Sequence, residues 1–216
     1  QLIPAWLRTS GVDLKTIGLM SLVGIPYNWK FLWSPAMDRY VPPFLGRRRG
    51  WMLITQIVLL LLMCSLAMLK PVGTIGAVVL IATAIAFFSA SQDIVLDAYR
   101  RELLPDLELG LGNSMYVNGY RVAAFIPGGL GLVLASYVSW PLVHIIISLF
   151  MLVGIAKTLM ISEIAGGICP PKTIKEAVVE PFREFFGRYG TKMSLLILSF
   201  LLLYKIGDNM ATALAT

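Results

Sequence analysis

Apolar positions along this chain come in long unbroken blocks, such as 57–69 and 75–90, where a soluble helix would show a one-sided stripe. Crossing a bilayer takes about 20 mostly apolar residues. The blocks and their flanks predict spans at about 14–37, 51–69, 74–99, 113–138 and 142–161, with a further span beginning near 193. Residues 1–11 read as the exit of a preceding helix followed by a short turn, and Asp13 or Ser10 is placed to cap the helix after it. The predicted class is an all-α integral membrane protein.

The polar segments between the blocks set the topology. Segments 38–50, 100–112 and 162–192 are basic, whereas the turns at 70–73 and 139–141 hold one lysine between them. Basic and sparse connections alternate, as hairpin-linked spans require, so the basic loops are expected on the cytoplasmic side. Segment 162–192 divides the spans into two sets. It opens as a Gly/Pro-rich linker, EIAGGICPPK, and continues with Thr173-Ile-Lys-Glu176, a capping-box pattern. Ile174, Ala177, Val178, Phe182, Phe185 and Phe186 then fall on one side of an amphipathic helix expected to lie at the membrane interface and to be interrupted near Pro181. The expected domains are residues 1–161 as a helical half lacking most of its first span, 162–192 as a cytoplasmic linker, and 193–216 as the start of a second half.

Composition agrees with this pattern and removes several classes of function. Of 216 residues, 57% are hydrophobic and mean hydropathy is +0.79, too apolar for a soluble domain. The net charge of +6 sits in the loops between spans, which points to membrane topology and away from nucleic acid. Cys64 lies inside a span and Cys169 in a loop, so no disulfide framework is implied. One histidine, His144, cannot build a zinc site with so few partners. No nucleophile–base constellation marks an enzyme such as an acyltransferase. No cofactor or metal is expected. The start at Gln1 and the stop at Thr216 inside an apolar helix read as a fragment of a longer chain covering about spans two to seven.

Candidate chemistry lies in the charges inside the spans. Asp93 and Asp97 are one helical turn apart, so they share a face, about 6 to 10 Å inside the end of their span. An ionised acid in hydrocarbon costs about 2.5 to 3.5 kcal/mol on insertion scales. With Lys30 and Arg121 on two other spans, these acids lie at similar depth, about 3 to 13 Å from the basic side. Packed together, the four would neutralise one another in a polar cavity. The plainer alternative has Asp97 pairing with Arg100 and Arg101 at the interface, and Lys30 snorkelling outward. Lys205 and Asp208 are deeper, about 18 to 23 Å into the last span, and form either their own ion pair or a site near the membrane midplane. PGGLG at 127–131 lacks the strand and the Lys-Ser/Thr of a phosphate loop and reads as close helix packing with a bend. Lys157, Trp51 and Trp140 are interface anchors.

Two resemblances follow from these residues. The loop Asp38-Arg39 … Gly46-Arg47-Arg48-Arg49 resembles the cytoplasmic signature of the major facilitator superfamily, with Ser34 where that signature has Gly and VPPFL inserted before Gly46. The segments DLKTIG, KFLWSPAMDRY, GRRRGW, SASQDIVLDA, PKTIKEAV and LYKIGD, taken in order, resemble the AmpG-type muropeptide permeases, relatives of the acetyl-CoA transporters. The resemblance implies the major facilitator fold, in which two six-helix halves rock about a midplane site. It implies import of N-acetylglucosamine–anhydro-N-acetylmuramic acid, with or without peptide, across the bacterial inner membrane. The import is driven by protons and serves cell-wall recycling, β-lactamase induction and so antibiotic resistance. Asp93 and Asp97 then become proton-coupling candidates, and Lys30, Arg121, Lys205 and Asp208 candidates for holding the cargo. The expected partners are the muropeptide, protons and the bilayer, with the protein a monomer. The rival readings are a related transporter of another cargo, such as acetyl-CoA, and a non-transporting membrane sensor or scaffold.

Overall fold

The computed structural model describes residues 2–164 and 173–214, the side chains at 174, 205 and 208–214 excepted. All regular structure among them is helical, in two compact units, Gln1–Pro170 and Pro171–Thr216. Among the described residues, five helices are long and apolar enough to cross a membrane.

In the first unit, α1 (Leu2–Thr9) leads to a helical segment broken twice: α2 (Leu14–Leu19), a tight turn at Met20–Gly24, α3 (Ile25–Trp29), another at Lys30–Leu32, and α4 (Ser34–Arg39). Asp13 caps α2, its carboxylate accepting from the Thr16 amide at 3.3 Å. The unbroken span expected at 14–37 is thus replaced by short pieces. Pro26 and Pro35 stand in the first turns of α3 and α4. There they lack the N–H that would bond the previous turn, and the chain tightens into 3₁₀ geometry just ahead of each.

Next come α5 (Arg47–Leu66) and α6 (Ile75–Leu103), which pack along one another. α5 begins four residues earlier than expected, so Arg47, Arg48 and Arg49 form its first helical turn and are not loop residues. α7 (Leu109–Phe125) passes through a π turn at Ile126–Leu130 into α8 (Gly131–Ala135). The π turn coincides with the PGGLG stretch, since Pro127 removes an α-helical donor and widens the turn. α9 (Trp140–Leu149) and α10 (Met151–Met160) return against α5. Three small cores hold the bundle. One gathers Trp6, Leu7, Leu66 and Val78; a second Leu2, Val143 and Ile147; a third Met37, Met52 and Val95. Between these cores the outer faces stay apolar and exposed, as lipid requires.

The second unit is α11 (Ile174–Leu214). The capping box forms as its sequence predicts. The Glu176 amide donates to Thr173 Oγ1 at 3.1 Å, and the Thr173 amide donates to Glu176 Oε2 at 3.3 Å. The expected interruption at Pro181 does not occur; the break falls at Gly190, with φ 72° and ψ 158°. Only glycine adopts that left-handed backbone without a Cβ clash, and Gly190 opens onto free space. Pro181 lies inside the helix, past its first turn, without breaking it. The Ser194 hydroxyl donates to the Phe185 carbonyl at 3.3 Å across the break.

Candidate functional site

Two polar assemblies stand out in the first unit, and α6 contributes to both. The first lies along its face at Ser89, Asp93, Asp97 and Arg100, positions three or four apart that share one side of a helix. The broken segment runs beside that face and meets it rung by rung. Tyr27 donates its hydroxyl to Ser89 Oγ at 2.6 Å. Lys30 Nζ lies 3.4 Å from Asp93 Oδ2 and 3.9 Å from Asp97 Oδ2. The Trp33 indole donates to Ser91 Oγ at 3.0 Å, and its ring lies 4.7 Å from that of Phe87. The helix breaks make this register possible. Trp29 sits at φ −105°, ψ 7° and Trp33 at φ −107°, ψ −5°, in the bridge region, which turns Lys30 toward α6.

Arg100 completes the cluster. Its Nη2 holds Asp97 Oδ1 at 2.8 Å, and its guanidinium lies over the Tyr116 ring at 4.2 Å. The chain of contacts runs Asp93–Lys30–Asp97–Arg100–Tyr116, with two carboxylates against two cations. A cavity of about 730 Å³ opens beside it. Ser89, Gln92, Asp93, Tyr116 and Tyr120 give the cavity its polar wall. Leu59, Met63, Ile147, Phe150 and Met151, from α5, α9 and α10, make the opposite side apolar. A polar stripe on an apolar wall suits an amphiphilic guest with a few fixed polar groups.

The sequence candidates divide accordingly. Lys30, Asp93 and Asp97 come together. Arg121 is exposed on α7, pairs with no described acid, and is absent from the cavity wall. Its place in the charge balance is taken by Arg100, while its neighbour Tyr120 faces the cavity. One residue on a helix is a 100° rotation, enough to separate the two. The side chains of Lys205 and Asp208, and Cys169, lie outside the described residues. Tyr27, Ser89, Tyr116 and Tyr120 were not singled out by sequence; the i, i+4 spacing of Tyr116 and Tyr120 was the available signal.

The second assembly joins the loop signature to the end of α6. Arg48 is buried, with Nη1 2.7 Å from Asp38 Oδ1 and Nη2 on Glu102. Arg47 Nη2 reaches the same Glu102 at 3.0 Å. Glu163 closes the other side, accepting the Arg48 amide at 3.0 Å and the Arg49 amide at 3.1 Å. A carboxylate thereby satisfies the open N–H groups at the start of α5 and meets the positive end of the helix. Arg49 reciprocates at the other helix, donating to the Thr158 and Leu159 carbonyls at 3.1 and 2.9 Å near the end of α10. Arg39 lies over the Tyr40 ring at 5.9 Å. Gly46 is required at this junction. Its φ is 81°, and a Cβ there would stand 2.7 Å from the Glu163 side chain. Glu163 lies 115 residues from Arg48, so no local pattern announced it.

Helices throughout, five among the described residues long and apolar enough to cross a membrane, and in-span charges gathered beside a cavity of the first unit define a multi-pass integral membrane protein. The Major Facilitator Superfamily profile matches residues 2–214, and the chain belongs to that family. It is 45% identical to the anhydromuropeptide permease of Escherichia coli over 99% of this chain and 43% of that protein. An uncharacterized protein of Haemophilus influenzae is 46% identical over all of this chain and 51% of its own length. The chain thus spans about half the length of the curated relatives it matches.

Proposed function

We propose that the full protein imports muropeptides, N-acetylglucosamine–anhydro-N-acetylmuramic acid with or without peptide, by proton symport across the bacterial inner membrane. The observation that carries this reading is the 45% identity to a protein named as an anhydromuropeptide permease, sustained across 99% of the chain. The geometry supports it. A carboxylate–ammonium pair beside a cavity is a group that can exchange a proton while a guest is bound. Residues 1–161 act as the first half, 162–192 as the linker and 193–216 as the start of the second half, with the basic loops cytoplasmic and the protein a monomer. Asp93 and Asp97 serve proton coupling. Lys30, Lys205 and Asp208 serve the cargo, with Tyr116 and Tyr120 offering ring faces to sugars; Arg121, which stands off the cavity wall, does not. The protein is a carrier and not an enzyme.

The test uses the full-length protein in spheroplasts, following radiolabelled N-acetylglucosamine–anhydro-N-acetylmuramyl tripeptide. Uptake is expected to collapse with a protonophore and to fall at least about 100-fold in Asp93→Asn. No uptake by well-expressed wild type would overturn the cargo assignment. Uptake that ignores the protonophore would overturn the coupling.

A further inference from the structure

The two acids of the cluster differ in a way that assigns them separate tasks. Asp97 is held by two cations, Arg100 on Oδ1 at 2.8 Å and Lys30 on Oδ2 at 3.9 Å. Among the described residues Asp93 pairs with Lys30 alone, and it forms part of the cavity wall. A proton on Asp97 would break two ion pairs, whereas a proton on Asp93 breaks one. The other titratable groups nearby are Tyr27 from α3 and Tyr116 and Tyr120 from α7. The wall residues from α5, α9 and α10 are apolar. Lys30, Arg100, Asp93 and Asp97 sum to zero charge when both acids are ionised.

We infer, resting on the transport reading above, that Asp93 carries the proton and that Arg100 is a positioning residue. It holds Asp97 as a fixed anion, so that each proton taken up by Asp93 exposes one positive charge to the cargo. In this step the Asp93 carboxylate gains H⁺ from water to become a carboxylic acid, and Lys30 keeps its three protons. The cluster then stands at +1 beside an apolar wall, where an uncompensated charge is costly. A carboxylate on the cargo restores neutrality through Lys30. Proton uptake and binding of an anionic group are therefore one linked event, with one proton for one carboxylate. The unsatisfied donor at this site fits the same account. Arg100 Nη1 is buried and has no acceptor among the described residues.

The experiment is calorimetry on the purified full-length protein in detergent, in buffers of different ionisation enthalpy. The probe is N-acetylglucosamine–anhydro-N-acetylmuramic acid, which has a single lactyl carboxylate, alongside its uncharged methyl amide. Wild type should take up about one proton per disaccharide bound, with affinity falling about tenfold per unit rise in pH. The methyl amide should bind without proton uptake. Asp93→Asn should bind the acid form independently of pH and with no uptake. Arg100→Gln leaves the cluster at −1, so protonation yields no net positive charge. It should bind the acid form at least tenfold more weakly and take up no proton, and Arg100→Lys should restore both. Rescue by lysine separates charge placement from a structural role, and thermal unfolding of each variant checks the fold. If Asp93→Asn still takes up a proton while Asp97→Asn does not, or if the methyl amide takes up a proton equally, the inference is overturned with the transport reading intact. If wild type binds neither compound at any pH, the transport reading itself fails.

Discussion

The two polar assemblies share α6 and are built from the same charged groups, yet they are built to opposite standards. At the arginine junction, Arg47, Arg48 and Glu102 are all but buried, every contact is at ordinary hydrogen-bond length or shorter, and Glu102 serves two guanidiniums. At the cavity cluster the key pair stands at 3.4 Å, with Lys30 and Asp93 each about one-third exposed. Buried pairs with full partners are expensive to break and slow to change. Looser pairs beside a cavity can trade partners at little cost. The first arrangement ties helix ends together; the second leaves its charges room to re-pair beside the cavity.

This contrast can be broken or sharpened by mutation in the full-length protein, reading thermal unfolding and the pH dependence of transport together. Glu102→Gln strands Arg47, leaves Arg48 with Asp38 alone, and should have the largest effect on the fold, about 3–5 kcal/mol. It is expected to lower Tm steeply while leaving the pH midpoint of residual transport in place. A variant with unchanged Tm would show that the junction is not structural. Gly50→Ala places a methyl 2.8 Å from the Phe44 carbonyl and from Pro42, where the loop folds over α5. The overpacking should cost about 1–3 kcal/mol by the same unfolding assay. Glu163→Gln keeps one acceptor for the α5 amides but loses the charge at the helix end, a loss of about 1 kcal/mol. High salt should shrink the difference, because screening weakens the wild-type interaction. On the cluster side, Tyr27→Phe removes the 2.6 Å bond to Ser89 and should cost only about 0.5–1.5 kcal/mol. It should shift the pH profile of transport before it shifts Tm; the reverse order would place Tyr27 with the structural residues.

The sequence was most informative where a property is local. Block hydrophobicity and loop charge predicted the helical membrane class, Thr173-Ile-Lys-Glu176 predicted its own cap, and the four-residue spacing placed Asp93 and Asp97 on one face. It misplaced features in which a neighbour decides. The kink in α11 belongs to Gly190, where the backbone turns left-handed, although Pro181 carried the stronger breaker signal. The segment 14–37 has the hydrophobicity of a span, but Pro26 and Pro35 divide it into short helical pieces.

What the sequence determined by itself was thus the medium and the identity of the charges that enter the apolar segments. Each follows from short-range arithmetic of hydrophobicity, helical rise and capping. Tertiary structure alone decided which charges meet. Arg121 and Arg100 carry the same side chain, yet only Arg100 lies on the α6 face that Lys30 reaches, and Glu163 finds the start of α5 from 115 residues away. Pairing depends on helix rotation and on contacts between distant segments, and a side chain's identity records neither.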